Sequence, residues 1–184
     1  MNVKRLLLLL TCVSLVIGCQ DEKEDNHIRS MLSQFEQSVV RIPDKMLCVE
    51  KGMSAFRDIS VSKPTFIVYV GPDECNECAL AHLSEKKTLF KWAEESKAFQ
   101  VYIVFSPLDM NVQSVFKRIQ EYRYSFPVYI DVDGSMREMN NIPEDTRFHC
   151  FLLDNLQYPV MVGNPLNSPK VESLFWTFVR LGKI

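Results

Sequence analysis

The sequence predicts an α/β domain of three layers, with helices packed on a central mixed sheet. Three observations carry this. Strand-length apolar runs alternate with helix-length stretches whose apolar residues recur at helical spacing. The last two strand runs, 148–154 and 158–162, are joined by a short link at Asn155, so the sheet ends in an antiparallel hairpin. The chain has 184 residues, and the 166 that follow an N-terminal leader are one domain's worth, with enough residues to bury a core.

The leader comes first. Lys4 and Arg5 precede an apolar run, Leu6 to Ile17, that is too short to reside as a membrane-spanning helix. It ends Leu15-Val-Ile-Gly18-Cys19, which resembles a bacterial lipoprotein signal peptide. That resemblance implies cleavage before Cys19, lipid attached to Cys19, and loss of Cys12 with the leader. The mature chain keeps 19 of the 21 basic residues against all 23 acidic ones, a net charge of −4 that gives no reason to expect nucleic acid. Export past the cytosol permits disulfides. The expected location is therefore extracytoplasmic, lipid-anchored to a bacterial membrane on its periplasmic face or at the cell surface. Residues 19–26 follow as a charged, solvated tether.

Residues 27–58 form an N-terminal extension. Ile28, Met31, Leu32, Phe35 and Val39 make one apolar stripe, which predicts an amphipathic helix over 27–40. Pro43-Asp44 marks a turn, Met46 to Glu50 reads as a short strand, and Gly52 breaks it. Thr65 to Val70 is a buried strand of β-branched and aromatic residues, stopped by Gly71-Pro72. A helix is predicted over 75–96 with Leu80, Leu83, Leu89, Phe90 and Trp92 as its apolar members, then a strand over 99–105. Asn111 is placed to cap a helix over 111–122, whose inner face is Val112, Val115, Phe116 and Ile119. A third core strand spans 126–131, a short helix 135–141, and a closing helix 168–181 turns Val171, Leu174, Phe175 and Phe178 inward, with Pro169 in its first turn.

The feature that carries chemistry is Cys75-Asn-Glu-Cys78, set between a buried strand and a helix. A sulfur at a helix N-terminus meets partial positive charge, which favours the thiolate that attacks disulfides. A CxxC pair in that setting, followed by this order of elements, resembles the thioredoxin fold. The segments Phe126-Pro-Val-Tyr-Ile-Asp-Val-Asp-Gly134, Phe148-His-Cys-Phe-Leu-Leu-Asp154 and Val160-Met-Val-Gly163-Asn-Pro165 resemble its TlpA-like and peroxiredoxin-like branch. The likeness runs from Ile59 to Leu181, within a thioredoxin-like domain assigned to 59–184. It implies a membrane-tethered or secreted thiol–disulfide oxidoreductase acting on protein thiols or disulfides, with no cofactor. Cys75 would be the exposed attacking cysteine and Cys78 the buried resolving one.

The chain departs from that pattern in three places. Glu74 replaces the usual tryptophan and Glu77 lies between the cysteines, so two carboxylates are expected to raise the thiol pKa. Tyr69 stands where thioredoxins carry a buried acid. Phe148, preceded by Arg147, falls where the fold has its cis-proline. Arg147 is then a candidate to lie over the cysteines and steady the Cys75 thiolate, with an exposed loop arginine as the plainer reading. His149 is a candidate acid or base, or a structural histidine. Cys48 and Cys150 read as buried apolar residues, and a disulfide between them is open. The residues give no support for metal, since Cys48, Cys150, His82 and His149 include no second CxxC or close pair. The proline-threonine-cysteine arrangement of peroxidases is absent. The residues also allow a second reading, a non-catalytic binding or accessory lipoprotein with Cys75–Cys78 as a structural disulfide.

Overall fold

The computed structural model describes residues 26–181. The leader, Cys19 and the tether to Asp25 lie outside the described residues. Two compact units divide the chain, Met1–Gln34 and Phe35–Ile184. A first helix, α1, covers residues 26–36, four residues shorter at its C-terminal end than the apolar stripe predicts. Val39 is exposed, while Phe35 and Val40 are buried in the second unit.

That second unit is built on seven strands: β1 (Lys45–Glu50), β2 (Met53–Asp58), β3 (Thr65–Val70), β4 (Gln100–Phe105), β5 (Val128–Ile130), β6 (Cys150–Leu153) and β7 (Pro159–Val162). They lie in the order β2-β1-β5-β4-β3-β6-β7. The centre, β3, β4 and β5, is parallel. β6 runs antiparallel to β3, β7 to β6, and β1 to both β5 and β2. The sheet is therefore mixed and ends in the predicted hairpin.

Side-chain alternation divides the interior into two cores. Phe66, Val68 and Val70 of β3 face one side with Val101, Ile103 and Phe105 of β4. Ile67 and Tyr69 face the other with Val104, Tyr129, Phe151 and Phe35. The first core is covered by α2 (Asn76–Ala81), α3 (Lys87–Ser96), α4 (Val112–Tyr122) and α6 (Pro169–Leu181). The second is covered by Met136 of α5 (Ser135–Met139) and by Phe35. The arrangement is the expected three-layer, thioredoxin-like one.

Further elements differ from the sequence reading. β2 was not visible in the pattern because all six of its residues are exposed, so no alternation marks it. Its pairing follows from the Lys51-Gly52 turn, where both residues have positive φ (52° and 79°), as a two-residue hairpin requires. The helix expected over 75–96 is broken into α2, a 3₁₀ turn at Leu83–Lys86, and α3. In one continuous helix Leu80 and Leu89, nine positions apart, would point about 180° away from each other. The tighter turn rephases the stripe, and Leu80, Leu83 and Leu89 are all buried. In α6, Leu174 is exposed, and Val179 joins Phe175 in the core instead. Asn111 holds the N-cap position of α4 but its side chain makes no capping bond.

Tyr124 ties α2 to the segment that follows α4. Its hydroxyl donates to the Leu80 carbonyl at 2.6 Å, and burial pushes the phenol from 10.0 up to about 12. Burial also raises Tyr69, Tyr102 and Tyr129. The fold favours the neutral phenols, so their stabilisation is whole below pH 10, where unfolded tyrosine ionises. It drains away as pH climbs toward the folded value. Urea midpoints measured at pH 8, 10 and 11 should fall over the last step, and Tyr124→Phe should fall less. A wild-type midpoint that stays flat to pH 11 would refute this account.

Candidate active site around Cys75

β3 ends at Val70 and the chain turns through Gly71 to Glu74, whose N–H donates to the Gly71 carbonyl at 3.3 Å. Cys75 is the N-cap of α2, with extended backbone (φ −66°, ψ 95°), and its Sγ accepts from the Cys78 N–H at 3.3 Å. The polar bend that stops the strand thus leaves a sulfur where a capping oxygen would normally sit. Both cysteines are free and exposed, with the two sulfurs 2.6 Å apart. The exposure of Cys78 corrects the expectation of a buried resolving thiol. α2 is short and stands at the rim, so one turn along it does not carry Cys78 inside.

The electrostatics separate the two thiols. Cys75 is held below the usual thiol range, first by the Cys78 thiol that donates to it, then by the backbone N–H groups of Cys78 and Glu77. The same contact pushes the Cys78 thiol up. Of the two thiols, Cys75 is thus the one that gives up its proton more readily. The carboxylates were expected to raise the thiols, and Glu77 does so for both cysteines. On Cys75 that effect is smaller than the hydrogen bonds that oppose it, and the Glu77 carboxylate meets Arg118 of α4 at 2.9 Å.

Glu74 is turned elsewhere. Its Oε1 accepts from the Gly71 N–H at 2.7 Å and lies 2.5 Å from Nδ1 of His149. Nε2 of His149 lies 2.7 Å from the Pro143 carbonyl, and its ring packs edge-on against Tyr69 at 5.1 Å. His149 is 6% exposed, although it sits at the end of a loop. The Tyr69 N–H donates to the His149 carbonyl at 2.8 Å, so the β3–β6 pairing brings the two elements together. A cleft of about 380 Å³ opens beside the pair, walled by Tyr69, Pro72, Asp73, Glu74, Arg137 and Pro143 among others.

The remaining candidates have surroundings of their own. The Arg147 guanidinium binds the Asp145 carboxylate, with Nε at 2.9 Å and Nη2 at 2.6 Å from Oδ2. It thereby holds that carboxyl below its ordinary range. It is the loop-arginine reading that this geometry fits. Phe148 is buried at the end of a 3₁₀ turn, Thr146–Phe148, and among the described residues there is no cis peptide bond. Cys150 faces the core beneath α2, where burial pushes its thiol up to about 11. Cys48 faces the opposite core. Their strands are four positions apart in the sheet, roughly 19 Å, so a disulfide between them cannot form within one chain.

No family model and no curated protein matches the chain. Solved structures resemble it. An uncharacterised thioredoxin-like protein from Porphyromonas gingivalis is 16% identical with a TM-score of 0.45, the alignment covering 78% of this chain and 92% of that one. The thioredoxin domain of a thiol-disulfide oxidoreductase from Bacteroides vulgatus is 15% identical at 0.44, covering 77% and 98%. The bacterioferritin comigratory protein of Xanthomonas campestris, described with alkyl peroxide reduction activity, is 13% identical at 0.48, covering 80% and 100%. Likeness at this level concerns the path of the chain and assigns no chemistry.

Sequence reading missed Arg118 and the pairing of Glu74 with His149. Arg118 is 41 positions from Glu77, and His149 is 75 from Glu74. No local pattern marks either. The signal that could have found the second is strand register, since placing Cys150 opposite Val68 puts His149 beside Tyr69 and the turn that follows it.

Proposed function

We propose that this chain is a thiol–disulfide oxidoreductase that exchanges with protein thiols or disulfides through Cys75 and Cys78. It would be held by lipid on Cys19 at a bacterial membrane, facing an oxidising compartment. The observation that supports the chemistry is the exposed Cys75 sulfur, acidified at the cap of α2 and 2.6 Å from a second free thiol.

The steps balance as follows. The Cys75 thiolate attacks one sulfur of a substrate disulfide. A new Cys75–substrate S–S bond forms, and the other substrate sulfur leaves as a thiolate that takes a proton. Cys78, once deprotonated, attacks the Cys75 sulfur, closes the Cys75–Cys78 disulfide and releases the second substrate thiol. The substrate is reduced by two electrons and the enzyme oxidised by two. In the opposite direction the oxidised enzyme accepts electrons from a substrate dithiol.

A redox titration of the purified full-length chain tests this. Alkylation and mass spectrometry would report Cys75 and Cys78 separately across glutathione and dithiothreitol buffers. A reversible couple in the range of known exchange proteins, roughly −120 to −270 mV, with Cys75 alkylated first, is the expected result. A pair that stays oxidised below about −300 mV would instead fit a structural disulfide in a binding module. Intact mass of the protein recovered from membranes of a bacterium expressing the full-length chain should show acylated Cys19 as the N-terminal residue. An unmodified Cys19 would remove the anchor from the proposal.

A further inference from the structure

The Glu74–His149 contact puts a proton in a defined place. A carbonyl oxygen only accepts, so the 2.7 Å bond to Pro143 requires hydrogen on Nε2 of His149. Glu74 Oε1 already accepts the Gly71 N–H, and its other neighbour is Nδ1 at 2.5 Å. Two bare lone pairs do not approach so closely. One further proton therefore lies between Nδ1 and Oε1. Whichever atom holds it, imidazole and carboxyl together carry no net charge.

The pair is also built. His149 is almost fully enclosed, its ring is fixed on both nitrogens, and Tyr69 packs against it at nearly a right angle. Glu74 is the residue immediately before Cys75, yet its carboxylate is bound back toward β3 through Gly71. Without His149, Glu74 would carry a full negative charge held by the Gly71 N–H alone, next in sequence to the sulfur. A carboxylate there disfavours a thiolate.

We infer that His149 is a positioning residue that holds the Glu74 carboxyl in a neutral, proton-sharing pair, so that the residue immediately before Cys75 presents no free carboxylate to its sulfur. This deepens the exchange reading and rests on it for its purpose, although the geometry and its test do not need turnover. The other groups that face Cys75 are Cys78 and Glu77, the latter paired with Arg118. Those around the pair are Tyr69, Asp73, Arg137, Glu144, Asp145 and Cys150. They remain in every variant below and form a common background.

The test is the rate of Cys75 alkylation by iodoacetamide against pH, read by mass spectrometry on the reduced full-length chain. His149→Gln should move the profile to higher pH, with a threefold to tenfold slower reaction near pH 6, as expected for a unit charge brought to within roughly 6 Å at the surface. Glu74→Gln alone should leave the profile within about twofold of wild type, because the pair is already neutral. Glu74→Gln combined with His149→Gln should return to wild type. A His149→Gln profile superimposable on wild type would overturn the inference. So would a double variant as slow as His149→Gln, since that marks a merely structural role.

Should His149→Gln fail to fold, ring NMR of wild type decides. The expected spectrum has protonated Nε2 and a strongly downfield proton shared between Nδ1 and the Glu74 carboxyl. Absence of that shared proton would overturn the inference. The redox titration stands apart from both measurements, so loss of exchange activity and loss of this pairing are read separately.

Discussion

Cys75→Ser is expected to abolish exchange completely, while Cys78→Ser traps the protein as a mixed disulfide. The two outcomes differ because the thiols differ. Cys75 accepts hydrogen bonds from the Cys78 thiol and N–H, which hold its thiol below the usual range. Serine at 75 has no sulfur to form the S–S bond, so no covalent intermediate arises. Serine at 78 leaves the nucleophile in place but removes the group that displaces the substrate. It also removes the thiol that chiefly acidifies Cys75, so trapping should be slower at low pH than the first step of wild type. The measurement is mass under non-reducing conditions after mixing with a disulfide-bonded peptide. Adduct on Cys78→Ser and none on Cys75→Ser supports the assignment. Adduct on Cys75→Ser through Cys78, at a rate like that of wild type, would reverse the two roles.

The largest expected effect on stability is at Phe175. Its side chain is fully buried and meets Phe66 at 5.5 Å and Phe99 at 5.0 Å, both edge-on. Trp92 and Trp176 lie at 6.3 Å and 5.4 Å. It joins α6 to β3 and to the residue preceding β4, so the closing helix is fastened to the centre of the sheet. Truncation removes a ring that four aromatic neighbours surround and that cannot collapse into their space. Phe175→Ala should cost about 3 to 5 kcal/mol in urea unfolding. Phe56→Ala, on the exposed edge strand β2, should change stability by less than about 0.5 kcal/mol. Comparable losses at both positions would mean that the core is not organised around α6.

How much of this was legible in the sequence follows from the range over which each feature is decided. The buried strands β3 and β4 were readable because their apolar runs are bounded by local stop signals, Gly71-Pro72 and Ser106-Pro107. The placement of Cys75 at a strand-to-helix junction was readable for the same reason. The parallel centre and antiparallel close followed from the order of elements and the short link at Asn155. β2 was not legible, because an exposed edge strand carries no alternation and depends on its partner β1. The break between α2 and α3 was present in the spacing of Leu80, Leu83 and Leu89, but it matters only once a sheet demands that all three face it.

At the site, the sequence by itself determined which atoms are available. It placed two thiols three residues apart at a helix start, two carboxylates beside them, and a histidine far along the chain. It did not determine where those carboxylates point. Tertiary structure decided that Glu74 binds His149, that Glu77 binds Arg118, that Arg147 turns to Asp145, and that Cys48 and Cys150 lie on opposite faces of the sheet. The physical reason is range. Periodicity, caps and turns are settled among near neighbours, whereas a side chain's charge partner is set by the register of strands and helices that meet only after the chain has folded.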